Sequence, residues 1–117
     1  ADCSLAKPKT VVVCASNVMG SDPDLGAILM KSFIFSLSKQ DVLPDEMLFY
    51  NEGVKITTTK SETLEDLKYL ADNGVEIVSC GTCLDFFHLK EELQVGSVTK
   101  TYDIVERMEK ADKIIKP

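Results

Sequence analysis

No cluster of lysine or arginine occurs anywhere in the 117 residues, and the formal charge is −6, from 19 acidic and 13 basic side chains. A nucleic-acid partner is therefore not expected, because phosphate binding needs a concentrated basic face. The acidic surplus serves solubility. No apolar run approaches the roughly 18 residues of a membrane span, so no membrane partner is expected, and no segment has the pattern of a secretory leader. There is one histidine, His88, and only four cysteines. Four cysteines in a chain of this size do not make a secreted disulfide framework, so a reducing cytoplasm is the expected compartment. Neither a G-x-G-x-x-G nor a Walker pattern is present. A Gly/Ser loop after the first strand (Ser16, Asn17, Gly20, Ser21) is a weak phosphate signal, and no motif supports a flavin. No cofactor is expected. There is no internal repeat and no low-complexity tract.

What the chain does have is 44% hydrophobic residues spread along its length, enough for one core in one domain. Residues 1–9 are polar, carry Pro8 and read as a tail or linker. Thr10-Val11-Val12-Val13-Cys14 is the β-branched run of a strand buried on both faces. Asp22-Pro23-Asp24 is a helix start, with Asp as N-cap and Pro at the first helical position. The helix it opens, about 23–39, has two apolar stripes. Leu25, Ile28, Leu29 and Phe33 form one; Met30, Ile34 and Leu37 form the other, with Phe35 between them. A surface helix normally has a single apolar face. The bland reading is a helix well buried in the monomer; the preferred one is that the second stripe lies against another subunit, in a homo-oligomer through helix 23–39.

Residues 46–50 read as a second strand and Asn51-Glu52-Gly53 as a turn. Thr59-x-x-Glu62 reads as a capping box for a helix with Leu64, Leu67, Leu70 and Ala71 on one side, ended by Asn73-Gly74. Residues 75–79 are the third strand. Thr82-x-x-Asp85 resembles a weaker capping box that places Cys83 at the first helical position. Residues 95–98 are a short fourth strand, a last helix starts at Thr99 or Thr101, and 113–115 are a terminal strand. Strands alternating with helices imply a mostly parallel five-stranded sheet covered on both faces, a three-layer α/β/α sandwich.

The chemistry lies in Cys80-Gly81-Thr82-Cys83. A thiol where a strand gives way to a helix meets backbone N–H groups and the positive end of a helix dipole, which favour thiolate. Sites in parallel sheets form at the carboxyl ends of strands. Cys14 ends one strand and Asn51 follows another, so both join Asn17, Gly81 and Thr82 as candidate binding residues; the bland reading of Cys14 is a small core hydrophobe. Several readings of the pair stay open. One thiolate can carry a persulfide, with the other binding or resolving it. The pair can exchange dithiol and disulfide, although thioredoxin-like folds place this motif early and face it with a proline loop, and no proline lies between Pro44 and Pro117. A structural zinc needs four ligands, and one pair with one histidine does not supply them, so no metal is expected. The pair can also be two inert buried thiols. His88 would serve as a base for Cys83 only if it faced the motif.

Four segments carry a family resemblance: Gly26 to Phe35, Phe49-Tyr-Asn-Glu-Gly-Val-Lys55, Ser79-Cys-Gly-Thr-Cys-Leu-Asp85 and Tyr102-Asp-Ile-Val105. Together they resemble the C-terminal domain of the YedF family, sulfurtransferase-like proteins connected with selenium metabolism, over about residues 10–115. The resemblance implies a DsrE/DsrF-like fold across 10–117, persulfide relay and oligomer formation. It implies that Cys80 is the reactive cysteine and Cys83 the additional thiol of the YedF type. Full-length members carry a TusA-like domain with its own Cys-Pro motif, which makes a TusA-like protein an expected sulfur donor or acceptor. The expected function is a sulfur or selenium relay domain, a sulfurtransferase in the sense of a persulfide carrier. The alternatives are a non-catalytic interaction module with the same fold, using its apolar first helix, and a dithiol–disulfide redox protein.

Overall fold

Three hydrophobic valines open the chain's regular structure. In the computed structural model, which describes residues 7–117, strand β1 (Thr10–Cys14) buries Val11, Val12, Val13 and Cys14 completely. It lies between β2 (Glu46–Phe49) and β5 (Lys113–Ile115). Strand β3 (Glu76–Cys80) pairs on the far side of β2, and β4 (Ser97–Thr99) closes that edge. The order is β4-β3-β2-β1-β5, and all four pairings are parallel.

Parallel neighbours need crossover connections, and these are right-handed. Helices α1 (Pro23–Ser38), α2 (Leu64–Asp72) and α3 (Gly81–Phe86) each join a strand to the next one in the same direction across the sheet. They therefore share one face, where α1 packs on α2. Helix α4 (Thr101–Lys110) joins β4 back to β5 at the opposite edge and covers the other face. The result is the expected three-layer α/β/α sandwich.

Helix α1 begins as its sequence requires. The Asp22 carboxylate accepts the N–H groups of Asp24 at 3.0 Å and Leu25 at 2.8 Å. Its two stripes separate: Met30 and Ile34 enter the core, while Leu25 and Ile28 stay 55% and 63% exposed and Leu29 and Phe35 stay exposed with them.

Several local expectations are corrected. Lys9 belongs to the domain rather than to a tail. Its N–H reaches the Asp112 carboxylate at 2.7 Å, its carbonyl accepts from Asp112 and Lys113, and its ammonium meets Glu46 at 2.8 Å. Residues 1–6 of the expected tail, with Cys3, lie outside the described residues. The capping box at Thr59 does not form, because its hydroxyl is drawn to the Glu92 carboxylate and Glu62 pairs with Lys31. Helix α2 starts at Leu64 instead. The turn at Asn51 continues as a 3₁₀ segment, Asn51–Thr57. Strand β3 runs one residue later than expected and takes in Cys80.

Candidate functional site

The alternation of side chains along β3 decides which way Cys80 faces. Alternate side chains of a strand share a face. Glu76 reaches Arg107 of α4 at 3.0 Å, so Val78 and Cys80 point to the α4 side as well. There the Cys80 sulfur meets the hydroxyl of Thr101, the first residue of α4, at 3.9 Å. Ser79 points the other way and shares a 2.9 Å hydrogen bond with Thr57 of the 3₁₀ segment.

Cys80 is the N-cap of α3, in extended backbone, with no side-chain cap. The expected cap at Thr82 therefore does not occur, and Cys83 sits at the third helical position rather than the first. Helix α3 is only six residues long, so its dipole contributes less than individual hydrogen bonds do. Cys83 is partly exposed. Its sulfur accepts the Asn51 N–H at 3.1 Å. Asn51 lies in the left-handed region, φ 52, and its own Oδ1 accepts the Glu52 N–H at 2.8 Å.

These contacts divide the proton between the two thiols. Burial alone would push the Cys80 thiol up. Hydrogen bonds from the Cys83 N–H, the Cys83 thiol, the Thr101 hydroxyl and the Thr82 N–H outweigh it, and the Cys80 proton is lost more readily than that of an ordinary cysteine. The Cys83 thiol moves up, through burial first and then through its hydrogen bond and proximity to Cys80, against the opposing pull of the Asn51 N–H. Of the two, Cys83 holds its proton more tightly than Cys80 does. Thr101→Val is expected to raise the pH at which Cys80 titrates, with Thr101→Ser restoring it. The thiolate's ultraviolet absorbance against pH measures this, and an unmoved titration would remove Thr101 from the site.

The other candidate residues divide between the pair and its surroundings. Asn51 touches Cys83 through its backbone. Gly81 and Thr82 border a shallow hollow of about 500 Å³ with Lys90 and Lys100. Asn17 lies instead on a larger groove of about 1230 Å³ between α1, the 3₁₀ segment and the end of α3. Cys14 is 0% exposed within the core, and burial pushes its thiol up to about 12. That places it away from any crevice, as packing. His88 is exposed at the C-terminal end of α3, φ 58, where the Leu89 N–H closes on the Leu84 carbonyl at 2.8 Å; it lines the groove. Asp85 pairs with Lys90 at 3.4 Å.

Thr101 was not among the residues the sequence singled out. The signal was present: Thr101 opens the helix after β4, at the same carboxyl edge of the sheet as Cys80, and site residues gather along that edge. The groove was also missed. Its Lys55 ammonium sits 4.7 Å above the Phe87 ring, a contact between segments 32 residues apart.

Among the described residues no group of three His, Cys, Asp or Glu side chains comes together to hold a metal, and no helix is long and apolar enough to cross a membrane. No curated protein matches the chain. Among solved structures it is similar to MTH1491 from Methanobacterium thermoautotrophicum, a protein of unknown function, at 21% identity and TM-score 0.70, covering 95% of this chain and 100% of that one. It is similar to the ychN protein from E. coli at 15% identity and TM-score 0.70, covering 93% and 99%. It is similar to BT1422 from Bacteroides thetaiotaomicron, a conserved protein of unknown function, at 10% identity and TM-score 0.63, covering 93% and 95%. At these identities the likeness is one of fold. The DsrE/DsrF-like family matches residues 10–117, and the chain belongs to that family.

Proposed function

We propose that this member of the DsrE/DsrF-like family is a sulfur-relay domain that carries a sulfane sulfur as a persulfide on the Cys80/Cys83 pair. The observation that carries the reading is the pair itself: a hydrogen-bonded Cys80 sulfur backed by a partly exposed Cys83 at the carboxyl edge of the sheet. The thiolate is the form that attacks sulfur. The finer resemblance to YedF, carried by Phe49 to Lys55 and Ser79 to Asp85, supports selenium as a second cargo and a TusA-like protein as donor or acceptor.

Incubation of the reduced protein with a cysteine desulfurase and cysteine tests this. Sulfur is expected to reach the pair, read by intact mass or as hydrosulfide leaving it. Cys14→Ser should behave as the unsubstituted protein, and the double variant Cys80→Ser/Cys83→Ser should take up none. A protein that stays fully reduced with no sulfur gained would sink the reading.

One observation favours a second reading, an interaction module: the exposed stripe of Leu25, Ile28, Leu29 and Phe35 on α1. In that reading the stripe seats a second copy of the chain, and sedimentation would show a concentration-dependent oligomer that Ile28→Glu dissociates. A monomer at all concentrations would remove it.

A further inference from the structure

The two sulfurs of the pair differ in access, and the difference sets an order of events. Cys80 ends a strand buried on both faces and is 3% exposed. Cys83 is partly exposed, so a persulfide brought from outside meets it first. Its sulfur already faces a fixed donor, the Asn51 N–H at 3.1 Å. That donor is aimed by a left-handed backbone, φ 52, which the Asn51 side chain holds through its bond to the Glu52 N–H. A non-glycine residue adopts this conformation uncommonly, and asparagine does so with a local side-chain hydrogen bond of this kind. Such backbone is retained where surrounding contacts fix it, and it clusters at functional sites. An N–H held beside a sulfur stabilises that sulfur as an anion.

We propose that Cys83 is the receiving sulfur, its thiolate stabilised by the Asn51 N–H once its proton has passed to Cys80, and that Cys80 then displaces hydrosulfide from the Cys83 persulfide to close a Cys80–Cys83 disulfide. This rests on the carrier reading above and adds where the sulfur arrives and in what form it leaves. The shared proton first moves from Cys83 to Cys80. The Cys83 thiolate attacks the outer sulfur of the donor persulfide. The donor's S–S bond breaks, its electron pair leaves on the donor thiolate, and Cys83 Sγ–SH forms. Cys80 gives its proton to that donor thiolate and attacks Cys83 Sγ. The bond to the outer sulfur breaks and HS⁻ departs from the exposed side. The two thiols lose two electrons and the sulfane sulfur gains them. A dithiol reductant resets the pair.

Two geometric points favour displacement over storage on Cys80. The two sulfurs are already in hydrogen-bonding contact, near enough for a small side-chain rotation to close a disulfide. A persulfide on Cys80 would add a sulfur atom to a site that is nearly sealed, whereas disulfide closure adds none.

The test uses the full reduced chain and glutathione persulfide, quenched by alkylation and mapped by peptide mass. The unsubstituted protein is expected to release one hydrosulfide for each disulfide formed. Cys80→Ser should retain the donor's sulfur on Cys83 as a stable adduct. Cys83→Ser should consume the donor roughly tenfold more slowly, since the remaining sulfur is shielded. Limiting iodoacetamide on the unsubstituted protein provides a readout independent of any substitution, and Cys83 should carry the first label. Labelling of Cys80 first, or uptake by Cys83→Ser at the unsubstituted rate, overturns the order while leaving the carrier intact. An unsubstituted protein that reacts at neither cysteine overturns both.

Discussion

Gly53→Ala should destabilise the protein by about 3 kcal/mol and loosen the site at the same time. A Cβ built at Gly53 lands on the carbonyl oxygen of Cys14. That oxygen cannot move aside. It belongs to the central strand β1, accepts the Tyr50 N–H at 3.2 Å, and lies beside Phe49 in the parallel ladder. The 3₁₀ segment must yield instead, and the N–H of its first residue, Asn51, is the one that holds Cys83. Urea unfolding should show a midpoint lower by roughly 1–3 M at an unchanged slope. Iodoacetamide labelling of Cys83 should change in the folded protein. An alanine variant as stable as the parent would mean that the approach of the two segments is not tight.

Arg107→Met should cost a similar amount, about 3 kcal/mol, because it removes one of the two cations that face a nearly sealed carboxylate, the one on its otherwise unpartnered oxygen. The Arg107 guanidinium lies 3.2 Å from Glu46, 3.0 Å from Glu76 and 2.6 Å from Asp103. The Glu46 side chain is 6% exposed, and its Oε1 has only the charge of Arg107 to offset burial; Lys9 serves the other oxygen at 2.8 Å. Methionine fills the volume and carries no charge, so it separates electrostatics from packing. The loss should depend on pH. Hydrogen bonding to Arg107 holds Glu76 below the usual carboxylate range, and Arg107 followed by Thr99 does the same for Asp103. Their folded values lie below the unfolded ones, so their stabilisation is complete above the unfolded values and disappears as pH falls through the folded ones. The gap between parent and variant should therefore narrow in acid. Urea midpoints measured from neutral to acid pH decide it, and a gap independent of pH would show that Arg107 acts through packing alone.

Glu46, Glu76 and Asp103 belong to three elements, β2, β3 and α4, and Arg107 ties them together at the end of the sheet opposite the thiols. The tie fixes α4 across the sheet. The other end of α4 presents Thr101 to Cys80, so the same helix serves stability at one end and the site at the other.

Much of this was legible along the chain. The valines of β1, the Asp22-Pro23 helix start and the alternation of strands with helices are local patterns, set by residues within one turn or one strand of each other. They specified a five-stranded α/β/α sandwich and put a CxxC pair at a strand's carboxyl end. Other features depend on partners far away in sequence. Thr59 abandons its cap for Glu92, 33 residues on. Cys14, which ends a strand just as Cys80 does, is fully buried in the core, where the 3₁₀ segment packs against its carbonyl at Gly53. The first helix divides its apolar residues between core and surface according to where α2 packs.

The amino-acid order by itself determined the layers, the direction of the strands and the presence of two thiols three residues apart where a strand gives way to a helix. Only the tertiary structure decided that Cys80 is enclosed and Cys83 open. The alternation of β3, anchored by Glu76 on Arg107, turns Cys80 toward α4, and a backbone N–H from Asn51 lies beside Cys83. Strand phase and that N–H are set by the register of the whole sheet, and pairwise register across 30 residues leaves no mark in the spacing of neighbours.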